Sequence, residues 1–177
     1  MGGGDLPVRV IVVMGVAGCG KTTVGRLLAS RLGVDYAEGD DFHTPANVRK
    51  MADGTPLTDA DRRPWLKAIE SWITGRLESG RPAVVACSAL KRAYREMLGL
   101  GRPGVALVYL NADRTTLEAR LHQRPGHFFR ANMLAGQFAD LEPPTRDEAL
   151  WVDAGNPLPE IVAEITEGMA RRYPPAG

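Results

Sequence analysis

Gly15-Val-Ala-Gly-Cys-Gly-Lys-Thr22 fits G-x-x-x-x-G-K-[ST] at every fixed position. Glycines let a backbone curl until several N–H groups point inward at phosphate oxygens, and a helix opening at Lys21 adds the partial positive charge of its N-terminus. Lys21 sets a cation on the β- and γ-phosphates of a nucleotide, and the Thr22 hydroxyl can ligate Mg2+. The candidate ATP-binding residues are Gly15, Val16, Ala17, Gly18, Cys19, Gly20, Lys21, Thr22 and Thr23. A chance glycine-rich turn is the competing reading. It fails on context, because the run follows a strand-like segment and opens a helix-like one. Helix N-termini depress thiol pKa values, but Cys19 reads better as a small loop residue than as a reactive thiol.

Glu38-Gly-Asp40-Asp41-Phe-His43 follows the second strand-like run. A carboxylate there stands next to the phosphate loop, where it could orient an acceptor hydroxyl and take its proton, a contribution of roughly 10²–10⁴-fold. Asp40 is the candidate base, and Glu38, Asp40 or Asp41 could hold Mg2+ through water. The alternative is that these acids cap the next helix, which suits Asp41 better than Asp40. After the third strand, Lys91 and Arg95 stand at i and i+4 of a predicted helix and so project from one face. Two cations opposite an acidic residue suit a substrate with a carboxylate and hydroxyls; a solvated basic face is the alternative. Arg120 and Arg124 follow the fourth strand, where a closing segment can exclude water and neutralise charge on a transferring phosphoryl group. Arg124 is the first choice for that role. An exposed helix-end arginine is the competing reading for either.

Missing motifs narrow the class. The chain has no D-x-x-G and no N-K-x-D, and its third strand ends Val84-Val85-Ala86-Cys87-Ser88 with no aspartate for the metal. That fits a compact small-molecule kinase better than a switch GTPase or a motor.

The elements that must position these residues are legible as apolar runs alternating with helical patterns. Val8–Val13, Val34–Glu38, Ala83–Cys87, Val105–Leu110 and Leu150–Val152 read as strands. Helices are expected over Thr22–Leu32, closed by Gly33; from Asp61, with Pro64 in its first turn and Trp65, Ile69, Trp72 and Ile73 as its stripe; over Leu90–Leu98; from Asp113, carrying Leu117 and Leu121; and from Leu158 to Met169. Continuous apolar strands between helices mean an α/β fold, a parallel sheet of about five strands covered on both faces. One domain is expected over 8–173, with a mobile lid at about 120–140 and tails at 1–7 and 174–177. Its site should lie beyond the carboxyl ends of the strands.

Composition sets the outer limits. The chain has 177 residues, 22 Lys plus Arg against 21 Asp plus Glu, a net charge of +1 and a hydrophobic fraction of 44%. That balance speaks against a nucleic-acid or membrane-surface partner. Two cysteines, Cys19 and Cys87, make no disulfide framework and fit a reducing cytoplasm. His43, His122 and His127 lack metal-ligand spacing.

Several longer blocks carry a resemblance. Gly15–Thr22, Glu38-Gly-Asp-Asp-Phe-His-Thr-Pro-Ala-Asn-Val-Arg-Lys-Met51, Gly54-Thr-Pro-Leu-Thr-Asp-Ala-Asp-Arg-Arg-Pro-Trp-Leu66, Cys87-Ser-Ala-Leu-Lys-Arg-Ala-Tyr-Arg95 and Arg124-Pro-Gly-His-Phe-Phe129 resemble the thermoresistant gluconokinases, small P-loop kinases related in fold to shikimate and adenylate kinases. The resemblance implies phosphoryl transfer from MgATP to the 6-hydroxyl of D-gluconate and a homodimer. It supports Asp40 as base, and Glu38 stands where relatives often carry Asp. It puts His43, Asn47, Arg49 and Lys50 in the block that covers the acceptor, so Asp40, His43, Arg49, Lys91, Arg95 and His127 are the candidate acceptor contacts. Gln137-Phe-Ala-Asp-Leu-Glu-Pro-Pro144 also matches and reads as lid-to-core packing, and the Asp153–Pro157 loop as the place of the adenine. A kinase for another polyhydroxy acid and a catalytically silent nucleotide-binding module are the alternatives.

Overall fold

The computed structural model describes residues 7–122 and 127–175, the side chains of 127–132 excepted. Five strands, β1 (Val10–Met14), β2 (Asp35–Glu38), β3 (Ala83–Ala86), β4 (Val105–Asn111) and β5 (Leu150–Asp153), form one sheet in the order β2-β3-β1-β4-β5. Every pairing is parallel, as the apolar runs require: strands buried on both faces need crossover helices on both. The helices are α1 (Lys21–Leu32), α2 (Pro45–Ala52), α3 (Asp59–Ser79), α4 (Arg92–Met97), α5 (Arg114–His122), α6 (His127–Asp140) and α7 (Leu158–Arg172).

The period of two along the strands divides the core. Ile11, Val13, Val84, Val108 and Val152 face α1 and α7 through Leu28, Val162 and Ile165, with Leu117 of α5 and Leu134 of α6 in the same layer. Val10, Val12, Val85, Leu107 and Tyr109 face the other way, onto Trp65, Ile69 and Ile73 of α3 and onto Tyr94 and Leu98 of α4. From central β1 the chain crosses to one edge of the sheet and later to the other. The strand order therefore reverses beside β1, and the loop after β1 opens into the crevice.

Three sequence expectations are corrected. The helix expected from Asp61 starts at Asp59, because Thr58 is the cap: its hydroxyl accepts the Asp61 N–H, and the Asp61 carboxylate accepts the Thr58 N–H in return. Pro64 consequently lies inside α3, beyond the first turn. The helix expected over Leu90–Leu98 shortens to Arg92–Met97, with Lys91 as its cap in extended backbone. The third concerns α2, which sequence periodicity left without a helix: Thr44 caps it by accepting the Asn47 N–H at 3.1 Å, with Pro45 at its first position.

Candidate functional site

The loop between β1 and α1 carries the phosphate-binding run. Gly20 precedes α1 with φ 98°, a left-handed conformation that only glycine adopts cheaply, and this turn aims the first N–H groups of α1 into the crevice. Lys21 extends its ammonium along the loop to the Val16 carbonyl at 3.1 Å. Leu121 of α5 packs beneath Gly18. Thr23 is exposed on the first turn of α1.

Cys19 is buried, and burial pushes its thiol up against the opposing charges of Lys21 and Arg120. The small-residue reading of Cys19 thus has its physical reason. Arg120 itself is exposed on the last turn of α5, within electrostatic reach of the loop. Arg124 lies outside the described residues, as does the side chain of His127.

The acidic run sits where β2 ends, in a 3₁₀ turn over Gly39–Phe42. Its first carboxylate is tied to the phosphate loop: Thr22 and Tyr36 both donate their hydroxyl protons to Glu38 Oε2, at 2.7 Å each. A Cβ on Gly39 would run into the Ala86 carbonyl oxygen, so glycine is what lets the turn lie against the end of β3. Trp65 of α3 donates its indole N–H to the Gly39 carbonyl at 2.7 Å, in a buried bond, and fixes the turn from the other side. Asp40 is exposed on this turn. Burial pushes the Cys87 thiol up to about 12, and that thiol feels the charges of Lys21, Asp40 and Glu38 together. All three thus lie within electrostatic reach of the carboxyl end of β3.

Mg2+ fits this donor set as an ion brought by a nucleotide. Among the described residues no group of three His, Cys, Asp or Glu side chains could cage a metal. Mg2+ commonly needs only one or two protein oxygens beside phosphate and water. The Thr22 hydroxyl gives its proton to Glu38, which leaves its oxygen lone pairs for a cation.

The segment from His43 to Lys50 has an internal order. His43 follows the 3₁₀ turn and stacks on Trp65, with ring centroids 4.3 Å apart and planes at 13°. Burial holds its pKa below the ordinary imidazole value, against the nearby charge of Asp40. Asn47 is 2% exposed on α2. Arg49 is exposed on α2, and Lys50 is paired with Asp61 at 2.8 Å.

The structure corrects the placement of Lys91 and Arg95 on one helix face. Lys91 lies before α4 and pairs with Asp59 at 3.1 Å. Arg95 is 5% exposed, and its guanidinium donates to the carbonyls of Ala89 (2.8 Å), Leu90 (3.1 Å) and Glu142 (2.8 Å). It clamps the turn that leaves β3 through Ala89, a residue at φ 46°. The i, i+4 spacing failed because the helix begins after Lys91.

Sequence reasoning also missed contacts. Gln137 of α6, read as packing, accepts the Ala17 N–H at 2.6 Å and ties α6 to the phosphate loop. Tyr94 donates to Asp59 and accepts from Arg62, which reaches Asp140 of α6 at 3.9 Å. Nothing local marks a lone glutamine or tyrosine for such roles. At the other end, a cleft of about 520 Å³ opens beyond β4 and β5 between Asn111, Arg114, Arg146 and Asp153. It adjoins the loop where the adenine was expected.

A family model described as an AAA domain matches residues 10–144. The gluconokinase of Gluconobacter oxydans is 47% identical, over 88% of either chain. The thermoresistant gluconokinase of Escherichia coli is 40% identical, over 90% of this chain and 92% of its own. The crystal structure of a gluconokinase from Sinorhizobium meliloti superposes with a TM-score of 0.83 at 46% identity, covering 95% of this chain and 94% of that one. On similarity of this extent, in sequence and in three dimensions, the chain belongs to the gluconokinase family.

Proposed function

We propose that this protein transfers the γ-phosphoryl group of ATP to the 6-hydroxyl of D-gluconate, giving 6-phospho-D-gluconate and ADP. The observation that carries the reading is the bond from Thr22 to Glu38, which ties the acidic turn bearing Asp40 to the phosphate loop. Relatives at 40–47% identity that are named gluconokinases support the choice of acceptor.

Loop N–H groups and Lys21 hold the phosphates, with Lys21 placing positive charge where the transferring group gains negative charge. Mg2+, when bound with the nucleotide, neutralises charge on the β- and γ-phosphate oxygens. Thr22 offers it a lone pair whose direction Glu38 sets. Asp40 orients the acceptor hydroxyl and takes its proton as the new O–P bond forms and the bond between γ-phosphorus and the bridging oxygen breaks. Arg120 and Arg124 offer cations from the lid side. A cytoplasmic location, on the strength of two cysteines without a disulfide framework, and a homodimer, on the strength of the family resemblance, belong to the same reading.

ADP release, measured with gluconate, other sugar acids, shikimate and nucleoside monophosphates, tests the proposal. Gluconate should stimulate release above every other acceptor, and no stimulation by gluconate refutes it. Asp40→Asn should keep ATP affinity and lower turnover by about a hundredfold or more. Near-unchanged turnover would move the base elsewhere.

A further inference from the structure

His43, Asn47 and Trp65 form a unit whose hydrogen bonds have only one consistent assignment. The Asn47 side-chain nitrogen Nδ2 lies 2.8 Å from the Asp61 carbonyl oxygen of α3. A backbone carbonyl can only accept, so this contact fixes which end of the amide is nitrogen. The same Nδ2 lies 3.3 Å from His43 Nδ1 and directs a proton at it. A proton on Nδ1 would set donor against donor around a side chain that is 2% exposed. Nδ1 is therefore the acceptor, and a neutral ring must carry its proton on Nε2.

The surroundings hold the ring in that state. Trp65 stacks on its face, and the indole N–H of that tryptophan pins the Gly39 carbonyl beneath the turn carrying Asp40. Thr44 caps α2 through the Asn47 N–H and so fixes the backbone from which Asn47 reaches both partners. One tryptophan thus positions both the carboxylate turn and the imidazole.

We propose that Asn47 is a positioning residue for the acceptor: it locks His43 in the Nε2–H tautomer, so that the ring offers the substrate a hydrogen-bond donor and never an acceptor. The inference rests on the reading of this block as the sugar-acid side of the site. The oxygens of a polyhydroxy acid can all accept. A hydroxyl that accepts from His43 keeps its own proton for another partner, and the carboxylate on the neighbouring turn is such a partner. A ring of the opposite tautomer would present a lone pair and compete with Asp40 for the hydroxyl proton. The buried asparagine thereby divides the two roles: His43 gives a proton to the hydrogen bond, and Asp40 receives one.

Imidazole nitrogen NMR on the full-length wild-type chain tests the assignment without any substrate, His43 being identified from its missing signals in His43→Gln. The expected spectrum at neutral pH has a protonated Nε2 and an unprotonated Nδ1. Asn47→Asp supplies an acceptor in place of the donor. It should move the proton to Nδ1 and raise the KM for gluconate about tenfold, the value of roughly one good hydrogen bond, with the KM for ATP unchanged. In a His43→Ala background the same substitution should cost no more than about twofold, because a residue acting through His43 has nothing left to position. Protonated Nδ1 in the wild type overturns the proposal. So does an Asn47→Asp penalty equally large in both backgrounds, which would mark a purely structural asparagine. If Asn47→Asp does not fold, the wild-type spectrum decides. If wild-type enzyme ignores gluconate, the acceptor assignment above fails while the spectrum still reads the tautomer.

Discussion

Arg95→Met separates a buried clamp from a substrate ligand, because methionine keeps most of the aliphatic stem and removes every donor. The guanidinium serves three carbonyl oxygens. Leu90 O keeps a second donor, the Glu142 N–H at 2.9 Å, and loses little. Ala89 O, in a buried bond, loses the guanidinium at about 1–3 kcal/mol, whereas Glu142 O, on an exposed residue, can turn to water and loses less. Desolvation of the guanidinium, which lowers the Arg95 pKa, is no longer incurred and returns part of this. The net expectation is about 1–3 kcal/mol, concentrated on the turn through Ala89. For a chain of this length that lowers Tm by roughly 2–12 °C, at about 2–4 °C per kcal/mol. Thermal unfolding followed by circular dichroism measures it, beside gluconate kinetics at a temperature where the variant is folded. KM for gluconate should change less than about twofold there, since a charged contact to a carboxylate would cost tenfold or more. A Tm within about 1 °C of wild type, with a tenfold rise in KM, would refute the reasoning and return Arg95 to the acceptor site.

Three further outcomes follow from the geometry. Lys50 and the Thr58 N–H hold Asp61 down to about 2 from an ordinary 3.8; a lowered carboxylate stabilises the fold above its unfolded pKa and loses that contribution as pH falls through its folded one. Denaturation curves of wild type and Lys50→Met should therefore part above about pH 4 and converge towards about pH 2, and parallel curves across that window would exclude the pair as the cause. Glu38→Gln should raise the Mg2+ concentration for half-maximal activity about tenfold, the usual scale for a group that orients a metal ligand; an unchanged Mg2+ titration would mean that Thr22 needs no orienting carboxylate. Cys19 and Cys87 should react with an aromatic disulfide reagent only after unfolding, since burial pushes both thiols up, and fast labelling of folded protein at neutral pH would restore Cys19 as a reactive thiol.

The contrast between Lys21 and Arg95 shows what kind of function a sequence exposes. Lys21 is fixed by covalent neighbours: glycines on one side and a helix start on the other set its direction whatever the rest of the chain does. Arg95 stands in an equally suggestive pattern. Its partners are carbonyls at Ala89 and Glu142, the second brought in by the chain returning from α6, and local spacing cannot announce them. Asp61 lies between the two cases: it stands in the first turn of the expected helix, but as the capping-box partner of Thr58, which is the cap and moves the helix start to Asp59.

Sequence by itself determined the parallel five-stranded sheet, because an unbroken β-branched run is satisfied only by helices on both faces. It also determined the phosphate loop, whose geometry is local to eight residues, and through long ordered blocks it determined the family. Tertiary structure decided which charges face the crevice and which are spent inside the protein. It brought Thr22 to Glu38, His43 to Trp65, Asn47 to Asp61 and Gln137 to Ala17. Each of these pairs joins separate elements, and such contacts depend on where two segments of the chain meet.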